Sequence, residues 1–563
     1  MIKQTITALF CAISLTASAQ SFETATASIQ NMKVGWNLGN TLDANSGERM
    51  TDVVKSETYW GQPVTKKALM TMLKEAGFNA VRIPVTWFPH MNDANVVDAE
   101  WMARVKEVVD YVIDSGMYCI LNVHHDTGDG DTHWLHASTE IFNQQKAKFE
   151  SLWQQIANEF KDYDQRLLFE GYNEMLDKYN SWCFASFASS GGYNATDAAD
   201  AYDAINSYAQ LFVNTVRNTG GNNTQRNLVV NTYAACDGRG TWNSHLLDPL
   251  KEMKMPDDPS GSGHIAFQVH CYPNVENITS TKSEVDLLME NLKNYLQSKG
   301  GPVIIGEWGT ESSDDYMNLR ENSLEFARYL VQKAKEYGFG TYRWMGLTSG
   351  STRSFPAFSE PDLAQAIVTG YYGSTDGFQY PTIDDYDILY TVDYNPSWTE
   401  LNLYSGATLN VSQYKAIKVE FAEDVPANAL KIKVYGADNK TQYSASNLSG
   451  STGELTFNST TLGGSFSRIT LQNMTTSAQQ ATIKKIYLIK QDGEQVVCEP
   501  SAFWGCTVTT TATRKPTGIA TPRLDKTLTQ HNSASPVYDL GGRKINHPVR
   551  GLYVRDGRKY VVR

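Results

Sequence analysis

LLFEGYNE, residues 167–174, opens on an apolar run, turns acidic at Glu170, bends at Gly171 and closes on the polar pair Asn173-Glu174. A short apolar run bounded by a turn signal reads as a strand buried on both faces, and polar residues just beyond its end read as chemistry. The same design recurs along the chain, in VGWNLGNT (34–41), AVRIPVTW (80–87), CILNVHHD (119–126), LVVNTYAA (228–235), IAFQVHCYP (265–273), VIIGEWGT (303–310) and GTYRWMGL (340–347). Helix-like amphipathic stretches lie between these runs, for example Thr65 to Ala76, Trp101 to Asp114, Ala201 to Val216, Glu284 to Leu296 and Leu324 to Tyr337. Eight alternating strand–helix units predict an α/β fold closed as a (β/α)8 TIM barrel rather than an open doubly wound sheet. Such a barrel gathers the polar residues at the strand C-terminal ends around one mouth.

Outside this region the pattern changes. The N-terminus combines Lys3, an apolar run from Ile6 to Leu15 and Ala17-Ser18-Ala19, which predicts a secretory signal peptide over 1–19 and a secreted or cell-surface protein. The run is too short to span a bilayer, which takes about 20 residues, and no other stretch is long enough. The barrel is expected over 20–373. From 374 to 511, β-branched runs such as LKIKVYGA and SRITLQN alternate with Gly, Asn and Ser turns, predicting an all-β sandwich with a possible carbohydrate-binding role. A Thr/Pro/Ser-rich linker at 512–535 leads to a basic, short β-rich segment at 536–563.

The 563 residues carry 49 Lys+Arg against 61 Asp+Glu, a net charge of −12 that disfavours a nucleic-acid partner. Six cysteines follow Cys11, an even number that permits disulfides without fixing any; Cys498 and Cys506, near each other beside a predicted hairpin, are the most plausible pair, and the others could be buried thiols.

Reading outward from each strand end gives Arg82, then His124-His125-Asp126, Asn173-Glu174, His270-Cys271-Tyr272, Glu307-Trp308 and Trp344. Glu174 and Glu307, on the fourth and seventh strands, lie across the barrel mouth. Two carboxyls about 5 Å apart suit retaining glycoside hydrolysis, in which one attacks the anomeric carbon while the other protonates the leaving oxygen and then activates water. Glu170, deeper on the same strand as Glu174, reads as a buried structural partner.

The segments GWNLGNTLDA, ETYWGQPVT, GFNAVRIPVTW, ILNVHHD, LLFEGYNE, VHCYP, VIIGEWG and YRWMGL resemble those of glycoside hydrolase family 5, the first three its subfamily 4 endoglucanases. The resemblance covers about Val34 to Leu347. It implies Glu174 as acid/base and Glu307 as nucleophile. It also implies that Arg82 keeps Glu307 ionised, that Asn173 binds the sugar 2-hydroxyl, and that His270 and Tyr272 orient the carboxylates. His124 would bind the sugar being cleaved, with His125 able to share or replace that role, over a stacking floor at Trp344. The pattern departs from the family at Met175, where Pro is usual, and at Met345-Gly346, where Asp-Asn-Gly is usual, which bears on the loops after strands 4 and 8.

Indole faces stack on the apolar faces of pyranose rings; Trp60, Trp87, Trp134, Trp182 and Trp308 sit where they could do so or could pack in the core, with Trp60 and Trp134 taken as substrate-binding. The acidic loop DTGDGDTHWLH (126–136) offers Ca2+-like Asp spacing but lacks the EF-hand pattern, so no metal is assigned. On the sandwich, Tyr386, Tyr390, Trp398 or Trp504 could serve as sugar platforms. VYDLGGRK and GLYVRDGRKYVVR near the C-terminus resemble type IX secretion sorting tails, implying a possible partner in secretion machinery. The expectation is therefore a monomeric, secreted endo-β-1,4-glucanase acting on polysaccharide without a cofactor. Xyloglucan and mixed-linkage glucan are alternative substrates, β-mannan a less favoured one, and an inactive polysaccharide-binding barrel is the alternative class.

Overall fold

The structure, a computed structural model, describes residues 21–515 apart from 131, 183–186, 189–191, 262, 437, 439, 441 and 458–463, together with four strands between 537 and 562. The expected signal peptide, most of the expected linker and Cys183 lie outside the described residues.

The eight predicted strands are present as β1 (Gly35–Asn37), β2 (Ala80–Ile83), β3 (Tyr118–Asn122), β4 (Leu167–Glu170), β5 (Leu228–Asn231), β6 (Ile265–Cys271), β7 (Val303–Trp308) and β8 (Gly340–Arg343). They pair in parallel and close into a barrel when β1 joins β8. Parallel strands sheathed by helices bury both faces, which explains the unbroken apolar runs.

The helices obey the same sequence logic. Ala99–Asp114 starts at Asp98, whose carboxylate accepts from the Glu100 and Trp101 N–H groups, and it buries Trp101, Val105, Val108, Val109 and Val112 along one stripe. Arg320–Tyr337 stops at Gly338, which takes the left-handed conformation at φ 75° that glycine adopts without strain. A helix before the barrel, Ala25–Met32, plugs its floor. Ala25, Ile29 and Met32 pack against Ile120, Leu168, Val229, Ile304 and Tyr342, which face the interior from five different strands. The Tyr342 ring lies over Gly35, where a Cβ would sit 2.3 Å from it, so only glycine fits there.

After the helix Pro361–Tyr372 the chain enters two antiparallel sheets. Their strands are β9 (Tyr386–Tyr394), β10 (Glu400–Asn410), β11 (Tyr414–Val425), β12 (Leu430–Tyr435), β13 (Gln442–Asn447), β14 (Gly450–Thr456), β15 (Ser465–Asn473), β16 (Gln479–Lys490), β17 (Gln495–Cys498), β18 (Ser501–Trp504) and β19 (Cys506–Arg514). One sheet runs β14-β11-β16-β9-β19 with β17 also on β16, and the other runs β13-β12-β15-β10-β18. Two expectations fail here. Cys498 and Cys506 are free thiols, because the strand between them, β18, crosses to the other sheet before β19 returns. Tyr386 and Tyr390 alternate with exposed residues on β9 and face the sandwich core beside Ile388 and Val392, so they offer no ring to a sugar. Cys119, Cys236 and Cys271 are buried thiols as expected.

The loop after β8 contributes to this second core: Phe355 and Ala357 pack among Tyr386, Ile388 and Leu403, and the Tyr386 hydroxyl donates to the Pro356 carbonyl at 2.8 Å. Phe355→Ala is therefore expected to cost about 3 kcal/mol and to lower the stability of barrel and sandwich together in a single urea transition. A separate transition in which only the sandwich shifts would contradict this coupling. Residues 513–563 form a second unit, where the strands between 537 and 562 make a four-stranded antiparallel sheet. Among the described residues no helix is long and apolar enough to cross a membrane.

Candidate active site

At the mouth of the barrel the strand ends converge on Arg82, which is fully buried on β2. An arginine side chain has five N–H donors, and all of them are used. Nε and Nη2 donate to Glu170 at 2.6 and 2.7 Å, Nη1 to Glu307 at 2.6 Å and Asn37 at 3.0 Å, and Nη2 to Asn173 at 2.8 Å. Asn37 is fixed in turn by donating its amide to the Gly306 carbonyl at 2.9 Å. Glu170 also accepts from Asn122 and Asn231, both at 3.2 Å. Burial works to raise the Glu170 pKa, but the Arg82 charge and these bonds hold it below the usual range. Glu170 is thus a buried ionic anchor, as its depth on the strand implies.

Glu307, at the end of β7, receives Arg82 on one oxygen and the Tyr272 hydroxyl on the other at 2.8 Å. Glu174 lies just past β4 and makes one close contact with His270, Oε1 to Nδ1 at 2.6 Å. An oxygen of Glu174 and one of Glu307 lie within 4.8 Å of each other. Glu174 is the more open carboxylate, with 23% of its side chain exposed against 5% for Glu307. Burial lifts Glu174 to about 7, reinforced by the charges of Asp129 and Glu170 and opposed by Arg82. Burial also raises Glu307, but His270, Arg82 and the Tyr272 hydroxyl favour its anion. Two carboxyls sharing a pocket titrate as a pair. The first proton settles on Glu174, which has no guanidinium bonded to it. Burial presses His270 down to about 4 against the pull of Glu307, so its ring is neutral and shares one proton with Glu174.

His124 and His125 separate. His124 is buried, holds its Nδ1 3.0 Å from the Asn122 amide, stacks on Trp344 with ring centroids 5.6 Å apart, and reaches within 3.9 Å of Glu307. His125 turns toward Asp43 at 3.8 Å and meets the edge of Trp60 at 5.3 Å. Trp60 is 39% exposed, and Trp134 is half-buried, tethered by its Nε1 to Asp126 at 2.6 Å with the Lys148 ammonium 4.1 Å above its ring. Trp182 is exposed, whereas Trp87 and Trp308 are fully packed into the barrel wall and present no face to a sugar. At the loop departures, the Met175 and Met345 carbonyls accept from Ala234 N–H and Trp36 Nε1, both at 3.1 Å, so each is fixed to a neighbouring strand end.

Several residues escaped sequence reasoning. Asp43 is buried, accepts from the Asn40 and Thr41 N–H groups, and is pushed up to about 6 by burial. Arg239 donates to the Tyr272 carbonyl at 2.6 Å and pairs with Asp237 at 2.7 Å, steadying the tyrosine that holds Glu307. Trp242, 71% exposed on the loop after β5, was legible only as an isolated aromatic.

Two triads, Asp43-His124-His125 and Glu174-His270-Glu307, bring ligand-type atoms within 4.8 Å. Arg82 already supplies the positive charge at the second, and the backbone donors at Asp43 already fill the carboxylate of the first. In the acidic loop, Asp126 is turned inward to the Trp87 and Phe88 N–H groups at 2.8 and 2.9 Å, which takes it out of a calcium shell. What remains is a pair of carboxyls with oxygens within 4.8 Å, Glu174 lifted by burial and Glu307 bonded to Arg82. That spacing fits direct attack by a carboxylate better than activation of an intervening water.

Comparison with known proteins bears on the barrel as a whole. The model of the cellulase family, glycosyl hydrolase family 5, matches residues 43–346. Endoglucanase A of Clostridium longisporum is 33% identical over 384 residues, 63% of this chain and 68% of that one. Among solved structures, a GH5-4 broad specificity endoglucanase from an uncultured bacterium is 54% identical with a TM-score of 0.61, over 63% of this chain and 97% of that one. A family 5 enzyme of Prevotella bryantii B14, solved with a xyloglucan tetradecasaccharide, is 40% identical with a TM-score of 0.55, over 62% of this chain and 99% of that one.

Proposed function

Because the chain belongs to the cellulase family, glycosyl hydrolase family 5, we propose that it is a retaining endo-β-1,4-glucanase that cleaves internal bonds of cellulose-type glucans by double displacement. The observation that carries this reading is the pair Glu174 and Glu307, oxygens within 4.8 Å, one carboxyl raised to about 7 and the other bonded to Arg82. Glu307 attacks the anomeric carbon. Glu174 gives its proton to the departing oxygen, then takes one from water as the glycosyl-enzyme is hydrolysed. Asn173 bonds the 2-hydroxyl, His124 bonds the sugar being cleaved, and Trp344 forms the floor beneath it. No cofactor enters these steps.

The test is release of reducing ends from carboxymethylcellulose, xyloglucan, lichenan and galactomannan, with viscosity followed in parallel. A β-1,4-glucan should be preferred, and viscosity should fall before many ends appear, the mark of internal cleavage. No release from any of them would overturn the enzyme reading, and preference for galactomannan would overturn the glucanase one. The xyloglucan held by the Prevotella bryantii neighbour favours tolerance of branches as a second reading.

Glu174 must be protonated at the moment of bond cleavage. Since its folded pKa is raised to about 7, kcat/KM should decline as pH rises through that value. In Glu174→Gln, hydrolysis of unactivated glucan should fall by roughly 10²- to 10⁴-fold, while an aryl cellobioside with a good leaving group should lose far less. Equal losses on both substrates would remove Glu174 from the acid role.

We further propose that the chain acts as a monomer, is exported after cleavage behind Ala19, and engages secretion machinery through residues 536–563. Deleting 536–563 should keep active enzyme inside the cell envelope, and undiminished release would refute a sorting role.

A further inference from the structure

We propose a second polysaccharide-binding site, on the sandwich, in which Trp398 and Trp504 are stacking platforms for a β-glucan chain. The ligand class rests on the glucanase reading; the site rests on observations of its own.

The first is backbone strain. Ser397 and Trp398 are consecutive non-glycine residues in the left-handed region, at φ 62° and 67°. Such conformations cost of order 1 kcal/mol or more each and persist where surrounding bonds impose them. Here the Ser397 N–H donates to the Thr475 carbonyl at 3.2 Å and the Trp398 N–H to the Asn473 carbonyl at 3.1 Å, while the Gln472 amide donates to the Trp398 carbonyl at 2.9 Å. This rigid loop holds an indole that is 48% exposed and buries nothing comparable in return.

The second observation is the surface beside it. Strand pairing sets Trp504, 57% exposed, opposite Glu400, two residues beyond Trp398. Along β10 and β15 the residues Leu401, Leu403, Ile469 and Leu471 enter the core, so Glu400, Asn402, Thr470 and Gln472 lie on the opposite face of the sheet, where each is itself less than a tenth exposed. Glu400 is locked by Lys433 at 2.6 Å, Thr470 and Gln472 at 2.8 Å and Tyr435 at 3.0 Å. Asn402, only 7% exposed, donates its amide to Ser501 at 3.3 Å, yet its buried Oδ1 has no hydrogen-bond partner among the described residues. Two exposed rings beside a buried polar network that retains one unused acceptor suit a pyranose chain, with its apolar ring faces and hydroxyl rim.

β9 and β18 both lead from the barrel side of the sandwich toward the platform. β9 begins at Tyr386, where the sandwich meets the loop after β8, and runs nine residues to Tyr394 just before the Trp398 loop. β18 starts two residues past Glu499, which lies against Gly350 in the loop after β8, and Trp504 closes that strand about 17 Å further along at about 3.3 Å per residue.

The experiment compares full-length wild type, Trp398→Ala/Trp504→Ala and Trp398→Tyr/Trp504→Tyr for retention on amorphous cellulose and for hydrolysis of cellotetraose. The Ala pair should bind about ten-fold more weakly or worse, the Tyr pair should stay within a few-fold of wild type, and all three should hydrolyse cellotetraose alike. Retention of the Ala pair equal to wild type, equal loss in the Tyr pair, or no retention of wild type would overturn the proposal. Failure of the glucanase reading shows separately, as absence of cellotetraose hydrolysis by wild type.

Discussion

Glu307→Gln is expected to lower kcat on a soluble β-1,4-glucan by roughly 10⁴-fold or more, because an amide cannot form the glycosyl-enzyme. The fold should survive. Arg82 keeps Glu170 on two of its donors, so the guanidinium is not left without a countercharge, and the replacement is nearly isosteric. Circular dichroism and a melting curve check folding, and initial rates check activity. A variant that is folded and within ten-fold of wild type would remove Glu307 from the nucleophile role. Glu307→Gly provided with azide should form a glycosyl azide of inverted configuration, which separates loss of a nucleophile from loss of substrate binding.

Arg82→Met should damage stability and catalysis together. It leaves Glu170 and Glu307 buried without their cation, a loss that costs about 3–5 kcal/mol for a broken buried pair. It also removes the charge that opposes protonation of Glu307, so the nucleophile of any folded fraction would be neutralised by protons at pH values where wild type works. Urea midpoint and kcat/KM at matched temperature measure the two effects. Arg82→Lys should recover charge but not the five-donor geometry, restoring stability in part and activity little. If Arg82→Met melts like wild type, the ionic centre contributes nothing net to folding.

The barrel was legible because each strand is an apolar run closed by polar residues, a signal that survives without any partner in view. Helix starts were less so: Ala195–Asn218 and Ile278–Tyr295 begin several residues before their apolar stripes, with polar first turns capped by Asn194 and Asn277. Arg82, Glu174, Glu307, His270 and Tyr272 could be picked out because they sit at strand ends. His124 was favoured over His125 by the resemblance alone, since neighbours at a strand end point to different sides and only the fold brings Trp344 to one and Trp60 to the other. Trp87 and Trp308 look identical in sequence to an exposed tryptophan. For Tyr386 and Tyr390 the signal was present, as both share the period-two face of β9 with Ile388 and Val392. The mistaken Cys498–Cys506 pairing followed chain proximity, which is blind to a strand that changes sheets. Asp43 and Arg239 bond locally, to Asn40 and Thr41 and to Asp237, and only the fold brings them to His125 and Tyr272.

The helix that plugs the barrel floor also sets an order of events in folding. Ala25 donates its N–H to the Gly263 carbonyl at 2.7 Å, and Met32 receives the Tyr342 hydroxyl on its sulfur at 2.9 Å, a contact spanning 310 residues. Ala25–Met32 is made before every strand of the barrel, yet its last partner arrives with β8. Contacts this distant in sequence are slow to form and leave apolar surface open in the meantime. This helix, made before the barrel, is therefore the last to find its seat, and until β8 is available the chain is an unclosed sheet vulnerable to proteases and to association with its own kind.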